Sequence, residues 1–252
     1  MDILVERAGG VLTLTFNRPD RKNAITAAMY QTLADALVNA QSDPSVRAIL
    51  LRGSPGIFSA GNDLEDFLKA PPVGNEAPVF QFLHALSTAE KPLVAAVAGA
   101  AVGIGTTMLL HCDLVYAADT AKFSLPFAQL GLCPEAASSL LLPRIAGYQA
   151  AAEKLLLGEA FDAQEALRMG FVNQVTGKAD WLEKALELAS VIARRAPIAV
   201  KLAKQAVLAA ETGLEGGLDA ERRLFELAMA TEDRVEGTQA FLEKRKPDFK
   251  GR

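Results

Sequence analysis

One carboxylate lies alone in an apolar segment of this 252-residue chain. Glu135 is the only acidic residue between Asp119 and Glu153, and leucine, alanine, cysteine and proline surround it. Burial in such surroundings raises the pKa of a carboxyl group, and a pKa near neutrality suits a general base. Pro134 also suits the first turn of a helix. In that position Glu135 would only stabilise the helix, through a favourable interaction with the helix dipole worth ~0.3–1 kcal/mol. The residues themselves leave both interpretations of Glu135 open.

Two glycine-containing loops indicate a second kind of chemistry. Residues 57–64 read Ile-Phe-Ser-Ala-Gly-Asn-Asp-Leu, and residues 98–105 read Ala-Gly-Ala-Ala-Val-Gly-Ile-Gly. Each loop follows a strand-like run and precedes a helix-like one, so each offers free backbone N–H groups at a helix N-terminus. Two such donors that converge on one oxygen would form an oxyanion hole. Either loop alone is better explained as a tight turn, and only their combination favours a site.

The elements that must position these groups alternate between strand and helix along most of the chain. The pattern predicts an α/β core over residues 1–195 and an α-helical region over residues 196–252. Thr26 and Asp162 are predicted helix caps. Predicted strands cover residues 3–7, 11–16, 46–51, 93–97, 114–117 and 171–175. Predicted helices cover residues 26–41, 76–89, 134–145, 149–157, 163–169, 181–195, 197–210 and 218–230, with short ones from 63 and 106 and a last one ending near 244.

The stretch from Pro92 to Cys112 contains no charged residue and is long enough to be weighed as a membrane span. Gly99, Gly103 and Gly105 interrupt it, and neither an aromatic belt nor a basic flank accompanies it. We therefore interpret it as a buried strand, a glycine loop and a buried helix, and expect no membrane partner.

Composition excludes several classes of protein. The chain carries 26 Lys and Arg against 30 Asp and Glu, and 50% of its residues are hydrophobic. This balance argues against a nucleic-acid partner and against intrinsic disorder. With two cysteines, Cys112 and Cys133, a disulfide framework or a zinc cluster is not expected. His84 and His111 are interpreted as a surface and a core histidine, so no metal site is predicted. The N-terminus is not a secretory signal, and a cytoplasmic location is expected.

Several motifs follow one another in a specific order. They are Leu12–Pro19 with Asn23-Ala24, Phe58–Leu64, Ala98–Gly103, His111–Ala117 and Gly158–Val175. In order and spacing they resemble the crotonase, or enoyl-CoA hydratase/isomerase, superfamily over essentially the whole chain. The resemblance implies a crotonase-like ββα superhelix with a C-terminal α-helical trimerisation region, assembled as a homotrimer or a hexamer made of two trimers. It also implies an acyl-CoA thioester substrate, and no cofactor, since coenzyme A is part of the substrate.

The resemblance assigns roles to individual residues. The backbone N–H groups of Asn62 and Ile104 would hold the thioester oxygen. Basic residues of the loop around Arg18 and Arg21 could meet the phosphates of coenzyme A, although a solvated surface is the preferred interpretation for each of them. The remaining implied substrate-binding residues are Lys22, Ala24, Ala60, Gly61, Asp63, Leu64, Gly103, Pro126 and Phe127.

The acidic residues favour one reaction within the superfamily. Hydratases of the superfamily typically carry two glutamates, and Thr107 and Phe127 occupy their places here. Residues 125–139 instead resemble peroxisomal-type Δ3,Δ2-enoyl-CoA isomerases, whose catalytic glutamate falls on Glu135. Ala136 and Ala137 depart from that pattern, in which glycine is common. We therefore expect a double-bond isomerase of fatty acid metabolism, in the manner of β-oxidation. A hydratase or another crotonase-type reaction is the alternative, and a non-catalytic acyl-CoA-binding protein is a third.

Overall fold

The structure is a computed structural model, and it describes residues 1–54, 56–177, 179–209 and 214–252. Its strands are β1 (Ile3–Ala8), β2 (Val11–Phe16), β3 (Ala48–Arg52), β4 (Leu93–Val97), β5 (Ala100–Val102), β6 (Leu114–Ala118), β7 (Lys122–Ser124), β8 (Phe161–Asp162) and β9 (Gln174–Thr176). Its helices are α1 (Ala27–Ser42), α2 (Leu64–Lys69), α3 (Pro78–Ser87), α4 (Ile104–Thr107), α5 (Ser138–Ala146), α6 (Tyr148–Leu157), α7 (Ala163–Arg168), α8 (Trp181–Ala193), α9 (Pro197–Ala209), α10 (Leu214–Met229) and α11 (Glu232–Leu242).

The strands form two sheets. Within the described ranges, six strands form the main sheet in the order β1-β2-β3-β4-β6-β9, in which the β1–β2 hairpin is antiparallel and every other pair is parallel. The smaller sheet has the order β5-β7-β8. The chain leaves the main sheet at the end of β4 and enters the smaller sheet at β5, turning at Gly99, whose φ is +67°. The second glycine loop therefore lies at the junction between the two sheets.

Both faces of the main sheet are covered, as a mostly parallel sheet requires. Because side chains alternate along a strand, Ile49 and Leu51 of β3 join the apolar cluster that includes α1, whereas Leu50 joins the cluster that includes α8. Helix α8 packs on the sheet through Trp181 and three alanines, Ala185, Ala189 and Ala193, spaced four residues apart. This rigid sandwich fixes the strand ends from which the two loops emerge.

Local sequence signals located most elements within a few residues. Thr26 caps α1 and Asp162 caps α7 through side-chain hydrogen bonds, as predicted. The uncharged stretch forms β4, β5, α4 and a 3-10 turn (Met108–His111), and no helix among the described residues is long and apolar enough to cross a membrane. The predicted helix from residue 197 is confirmed to Ala209, and Ala210 lies outside the described residues.

Three predicted starts are wrong by three or four residues: β9 begins at Gln174 instead of 171, α10 begins at Leu214 instead of 218, and the start of α5 affects the site. The helix expected over residues 134–145 begins only at Ser138, because Ala136 and Ala137 adopt left-handed conformations, with φ of +51° and +54°. Two consecutive residues in the left-handed conformation interrupt the right-handed path of an α-helix. Glu135 therefore lies in a loop before the helix, and its interpretation as a helix-dipole residue is wrong.

Candidate active site

The two glycine loops lie side by side. Ser59 pairs with Ala101 of β5 in a parallel bridge. The backbone N–H of Ser59 donates to the carbonyl oxygen of Ala100 at 3.0 Å, and that of Val102 donates to the carbonyl oxygen of Ser59 at 2.9 Å. The loop at residues 57–63 is thus attached to the strand that leads into the second loop, so the ends of both loops meet.

This close approach depends on Gly61. Its φ is +89°, and a Cβ atom built on it would lie 2.7 Å from the carbonyl oxygen of Val102. Backbone at that distance leaves no space for a side chain, and the positive φ itself favours glycine. Gly103, with φ +55°, makes the corresponding turn into α4. The two glycines set the position of the residue that follows each of them.

Those following residues are Asn62 and Ile104. Ile25 hydrogen-bonds to both neighbours of Asn62, accepting from the Asp63 N–H and donating to the Gly61 carbonyl, so the Asn62 N–H points away from Ile25. Ile104 is the first residue of α4, where a backbone N–H has no partner within the helix. Neither N–H donates to another described residue, and both residues line the same cleft.

The cleft has a volume of about 390 Å³ and a mostly apolar lining. The lining of the cleft includes nearly all the residues that the sequence assigned to substrate binding. Lys22 is not part of the lining; it is exposed, and its backbone carbonyl accepts a hydrogen bond from Ala60. The assigned residues in the lining are Ala24, Ala60, Gly61, Asn62, Asp63, Leu64, Gly103, Ile104, Pro126 and Phe127. Arg21, which the sequence offered as a possible contact for the phosphates of coenzyme A, also lines the cleft. Lining residues that the sequence did not assign to the site are Glu65, Phe67, Val102, Leu130 and Leu132.

A second, smaller cavity of about 330 Å³ adjoins the first and shares Asn62, Asp63 and Phe67 with it. Its walls are largely apolar, which suits an acyl group. They come from the start of α1 and from the chain between α2 and α3, including Ile25, Tyr30, Pro71, Pro72, Val73 and Val79.

Glu135 is held against α4. The Thr107 hydroxyl donates a hydrogen bond to Oε1 of Glu135. Thr107 lies three residues after Ile104, about 4.5 Å along the helix axis, so the carboxylate is fixed relative to one of the two N–H groups. Burial raises the pKa of Glu135 from 4.5 to about 7, and the hydrogen bond from Thr107 opposes that rise. A carboxyl group with this pKa can both accept and release a proton near neutral pH.

Tyr30 is attached to the first loop through Asn62. The side chain is buried on α1, and its hydroxyl donates to Oδ1 of Asn62 at 2.5 Å. Burial raises the pKa of Tyr30, and the negative charge of Glu135 raises it further, so the phenol stays neutral and the carboxylate lies near it. Tyr30 and Asn62 therefore form one hydrogen-bonded pair, and Thr107 and Glu135 form another. Asn62 lines both cavities, whereas Glu135 and Thr107 are in the lining of neither.

The Glu135 loop has a second attachment at His111. The Nε2–H group of His111 donates to the carbonyl oxygen of Ala136 at 2.9 Å, and burial lowers the pKa of the imidazole. His111 is thus neutral and hydrogen-bonded, but it is partly buried and not the core histidine that was expected, whereas His84 is exposed as expected. In the part of the chain that the structure describes, no group of three or more histidine, cysteine and acidic residues could hold a metal ion.

The side chain of Asp63 is already bound within the protein. Its carboxylate caps α2 and accepts a hydrogen bond from Nη1 of Arg18 at 2.7 Å, which holds the pKa of the carboxyl below its usual value. Asp63 lines the cleft, but its charge and that of Arg18 are used to fix the loop. Arg18 also donates to the carbonyl of Ala24, so it is a structural residue in this arrangement.

Asn23 is a positioning residue that the sequence did not single out for a role. It is fully buried, and its amide donates to the carbonyl oxygens of Ile57 and Phe58 at 3.1 and 3.0 Å. Its Oδ1 accepts from the Arg18 N–H at 2.8 Å. Asn23 ends a polar, basic segment of the sequence, so nothing in its surroundings along the chain indicates that its amide is buried and must find partners.

The raised pKa of Glu135 makes stability depend on pH. Below pH 4.5 the carboxyl is protonated in the folded and the unfolded chain, whereas above about pH 7 the folded protein carries a buried charge. Glu135→Gln removes that charge, so its stability advantage over wild type should grow by about 2–3 kcal/mol between pH 5 and pH 8.5. Urea unfolding at both pH values measures this, with exposed Glu159→Gln as the control. A difference that does not change with pH would contradict the assignment.

Two backbone N–H groups on one apolar cleft and a carboxylate attached to the adjacent helix are the kinds of group that stabilisation of an enolate requires. The family model described as enoyl-CoA hydratase/isomerase matches residues 6–252. The chain belongs to this family, and it is an enzyme of the crotonase superfamily.

Individual relatives cover almost the whole chain. The 2,3-dehydroadipyl-CoA hydratase of Escherichia coli K12 is 41% identical over an alignment of 255 positions that covers 100% of this chain and 99% of the relative. The 1,2-epoxyphenylacetyl-CoA isomerase of the same strain is 38% identical over 96% of each chain. The crystal structure of an enoyl-CoA hydratase from Bacillus anthracis has a TM-score of 0.94 at 33% identity and covers 100% of both chains. These matches confirm the crotonase fold.

Proposed function

We propose that the protein is a Δ3,Δ2-enoyl-CoA isomerase that converts a 3-enoyl-CoA thioester into the 2-trans-enoyl-CoA. The observation that carries this proposal is the position of Glu135. Its partly buried carboxylate is attached to α4 through the buried Thr107, which occupies the place of one hydratase glutamate. Phe127, in the place of the other, is an apolar wall of the cleft. One base remains, and one base is sufficient for a double-bond shift.

The reaction needs a proton to leave C2 and a proton to reach C4. In this proposal the thioester oxygen lies between the N–H groups of Asn62 and Ile104, which stabilise the negative charge of the dienolate. Ionised Glu135 takes the C2 proton, and the resulting carboxylic acid gives a proton to C4. Because burial brings the pKa of Glu135 to about 7, neither proton transfer is strongly uphill.

Hydration is the second candidate, and the 41% identical relative described as a hydratase favours it. Addition of water needs a group that orients and deprotonates the water while another protonates the substrate. Phe127 offers no proton acceptor, and its nearly buried ring excludes water from its part of the cleft. Thr107 already donates its hydrogen to Glu135. The side chains at these two positions therefore support isomerisation over hydration.

The rate of isomerisation should depend on pH through Glu135. The reaction begins with the ionised carboxylate, so kcat/KM for a 3-enoyl-CoA should be low in acid and rise about tenfold per pH unit until it levels off above the pKa of about 7. A continuous assay of 2-enoyl-CoA formation between pH 5 and pH 9 measures this. A midpoint near the ordinary glutamate pKa of 4.5 would contradict the role of the buried carboxylate.

Assembly into trimers or dimers of trimers remains a proposal. Large apolar side chains on the C-terminal helices support it, because Phe225 of α10 is 67% exposed and Phe241 of α11 is 83% exposed. Exposed apolar surface of this kind is typical of an interface between protein chains. We assign the oligomerisation role to residues 196–252 on this basis, and place the reaction in fatty acid β-oxidation.

A further inference from the structure

Thr107 makes a polar contact that the two proton transfers alone do not require. The residue is fully buried on α4, and its hydroxyl donates to Oε1 of Glu135, 28 positions away in the chain. The adjacent Thr106 is also buried, but its hydroxyl donates to the carbonyl oxygen of Ala101 at 2.6 Å. Two neighbouring threonines on one helix therefore have different partners, and only Thr107 contacts the base.

The chemistry of a hydroxyl group makes this contact selective between the two oxygens of the carboxylate. A threonine hydroxyl has one hydrogen to donate. If a substrate proton goes to Oε2, then Oε1 becomes the carbonyl oxygen of the acid and continues to accept from Thr107. If the proton went to Oε1, the Thr107 hydroxyl would have to rotate and become an acceptor. Breaking a buried hydrogen bond during the reaction is costly, so the arrangement favours Oε2.

We propose that Thr107 is a positioning residue that holds Oε1 of Glu135, so that Oε2 alone takes the proton from C2 and delivers it to C4. This inference rests on the proposed isomerase function. In the first step the C2–H bond breaks, Oε2–H forms, and the electron pair moves to the thioester oxygen. In the second step Oε2–H breaks and C4–H forms, while the electrons of the dienolate return to make the C2=C3 double bond. No oxidant or further reactant is needed.

Two consequences follow from a carboxylate held at one oxygen. The proton on Oε2 stays on the substrate side, so much of it reaches C4 before it exchanges with water. The hydrogen bond also favours the ionised base, because it opposes the rise in the pKa of Glu135 caused by burial. The other titratable groups near the base are Tyr30, whose pKa is raised, and His111, whose pKa is lowered, so both are neutral around pH 7.

The experiment compares Thr107→Val, Thr107→Ser and Thr106→Val with wild type on a 3-enoyl-CoA carrying deuterium at C2. In Thr107→Val we expect kcat to fall about 10- to 100-fold with little change in KM, since a misplaced base slows chemistry more than binding. The midpoint of the rise in kcat with pH should move to higher pH. The fraction of deuterium transferred to C4 should also fall. Thr107→Ser, which keeps the hydroxyl, should restore all three properties.

Thr106→Val is the matched control, because it removes a buried hydroxyl from the same helix without touching Glu135. It should leave the pH midpoint and the deuterium transfer unchanged, whatever its effect on thermal stability. If Thr107→Val behaves like Thr106→Val in both measurements, Thr107 is only a packing residue and the inference is overturned.

A carbon-13 titration of the Glu135 carboxyl separates this inference from the proposed function. The pKa of Glu135 should be higher in Thr107→Val than in wild type. An unchanged pKa would show that the hydrogen bond has no influence on the base, and would overturn the inference even in an active isomerase. If wild type does not isomerise a 3-enoyl-CoA at all, the proposed function fails, and the role of Thr107 in proton transfer fails with it. A raised pKa in Thr107→Val would then establish only the hydrogen bond.

Discussion

Glu135→Gln should lower kcat for isomerisation of a 3-enoyl-CoA by at least about 10³-fold, because the reaction loses the group that carries the proton. The substitution is close to isosteric, and a glutamine oxygen can still accept the hydrogen bond from Thr107. The fold and the binding of the thioester should therefore persist. Steady-state assays, with circular dichroism to confirm folding, measure this.

The control for this substitution is Glu159→Gln, which changes an exposed glutamate between α6 and β8, outside both cavities. It should retain the wild-type rate. Turnover of Glu135→Gln within about tenfold of wild type would show that another group carries the proton, since a positioned general base contributes more than that. This result would contradict the assignment of Glu135 as the catalytic base of an isomerase.

Gly61→Ala should lower kcat by about 10²- to 10³-fold, because it disturbs the oxyanion hole. The added Cβ would meet the carbonyl oxygen of Val102 at 2.7 Å, and the positive φ of +89° would be strained as well. The two loops would have to separate, which would move the N–H of Asn62 away from that of Ile104. Measuring kcat and the melting temperature together distinguishes loss of the site from loss of the fold.

Gly56→Ala is a matched control for backbone strain. Gly56 lies directly before the first glycine loop and has nearly the same φ, +86°, but apart from its chain neighbours no atom of the described residues lies within 4 Å of the added Cβ. It should reproduce the cost of the strained backbone, about 1–2 kcal/mol, with little effect on kcat. Equal losses of kcat in Gly56→Ala and Gly61→Ala would contradict the role given to the contact between the loops.

Local signals predicted the scaffold because they act over a few residues. The hairpin of β1 and β2, the capping by Thr26 and Asp162, and the helices after Trp181 are all confirmed. The α8 face of three alanines also follows from helical spacing. Strand β5 was missed because a strand of three residues has too little alternation to recognise.

The start of α5 was misplaced for a different physical reason. Pro134 is a local helix-start signal, but the chain continues through Ala136 and Ala137 in left-handed conformations before the helix begins. Such conformations cost roughly 1–2 kcal/mol for each alanine and are not expected from the residue type. Contacts of the loop with the rest of the fold, including the hydrogen bond from His111 to the carbonyl oxygen of Ala136, offset this conformational cost.

The site was only partly predictable. The sequence singled out both glycine loops and Glu135, because glycine spacing and an isolated carboxylate are visible along the chain. It could not indicate that Thr107 contacts Glu135 or that Tyr30 contacts Asn62, since these pairs are 28 and 32 positions apart. Such contacts depend on how the two sheets bring distant loops together.

The most direct test of the account is a comparison of two substrates on the wild-type protein. Purified enzyme is given a 3-enoyl-CoA and, separately, the corresponding 2-trans-enoyl-CoA, and the products are identified by mass and by proton NMR. We expect kcat/KM for isomerisation to exceed that for water addition by at least about 100-fold, because Thr107 and Phe127 occupy the places of the two hydratase glutamates and, among the described residues, Glu135 is the one group to which the proposal assigns proton transfer. Formation of 3-hydroxyacyl-CoA at an equal or greater rate would contradict the central claim.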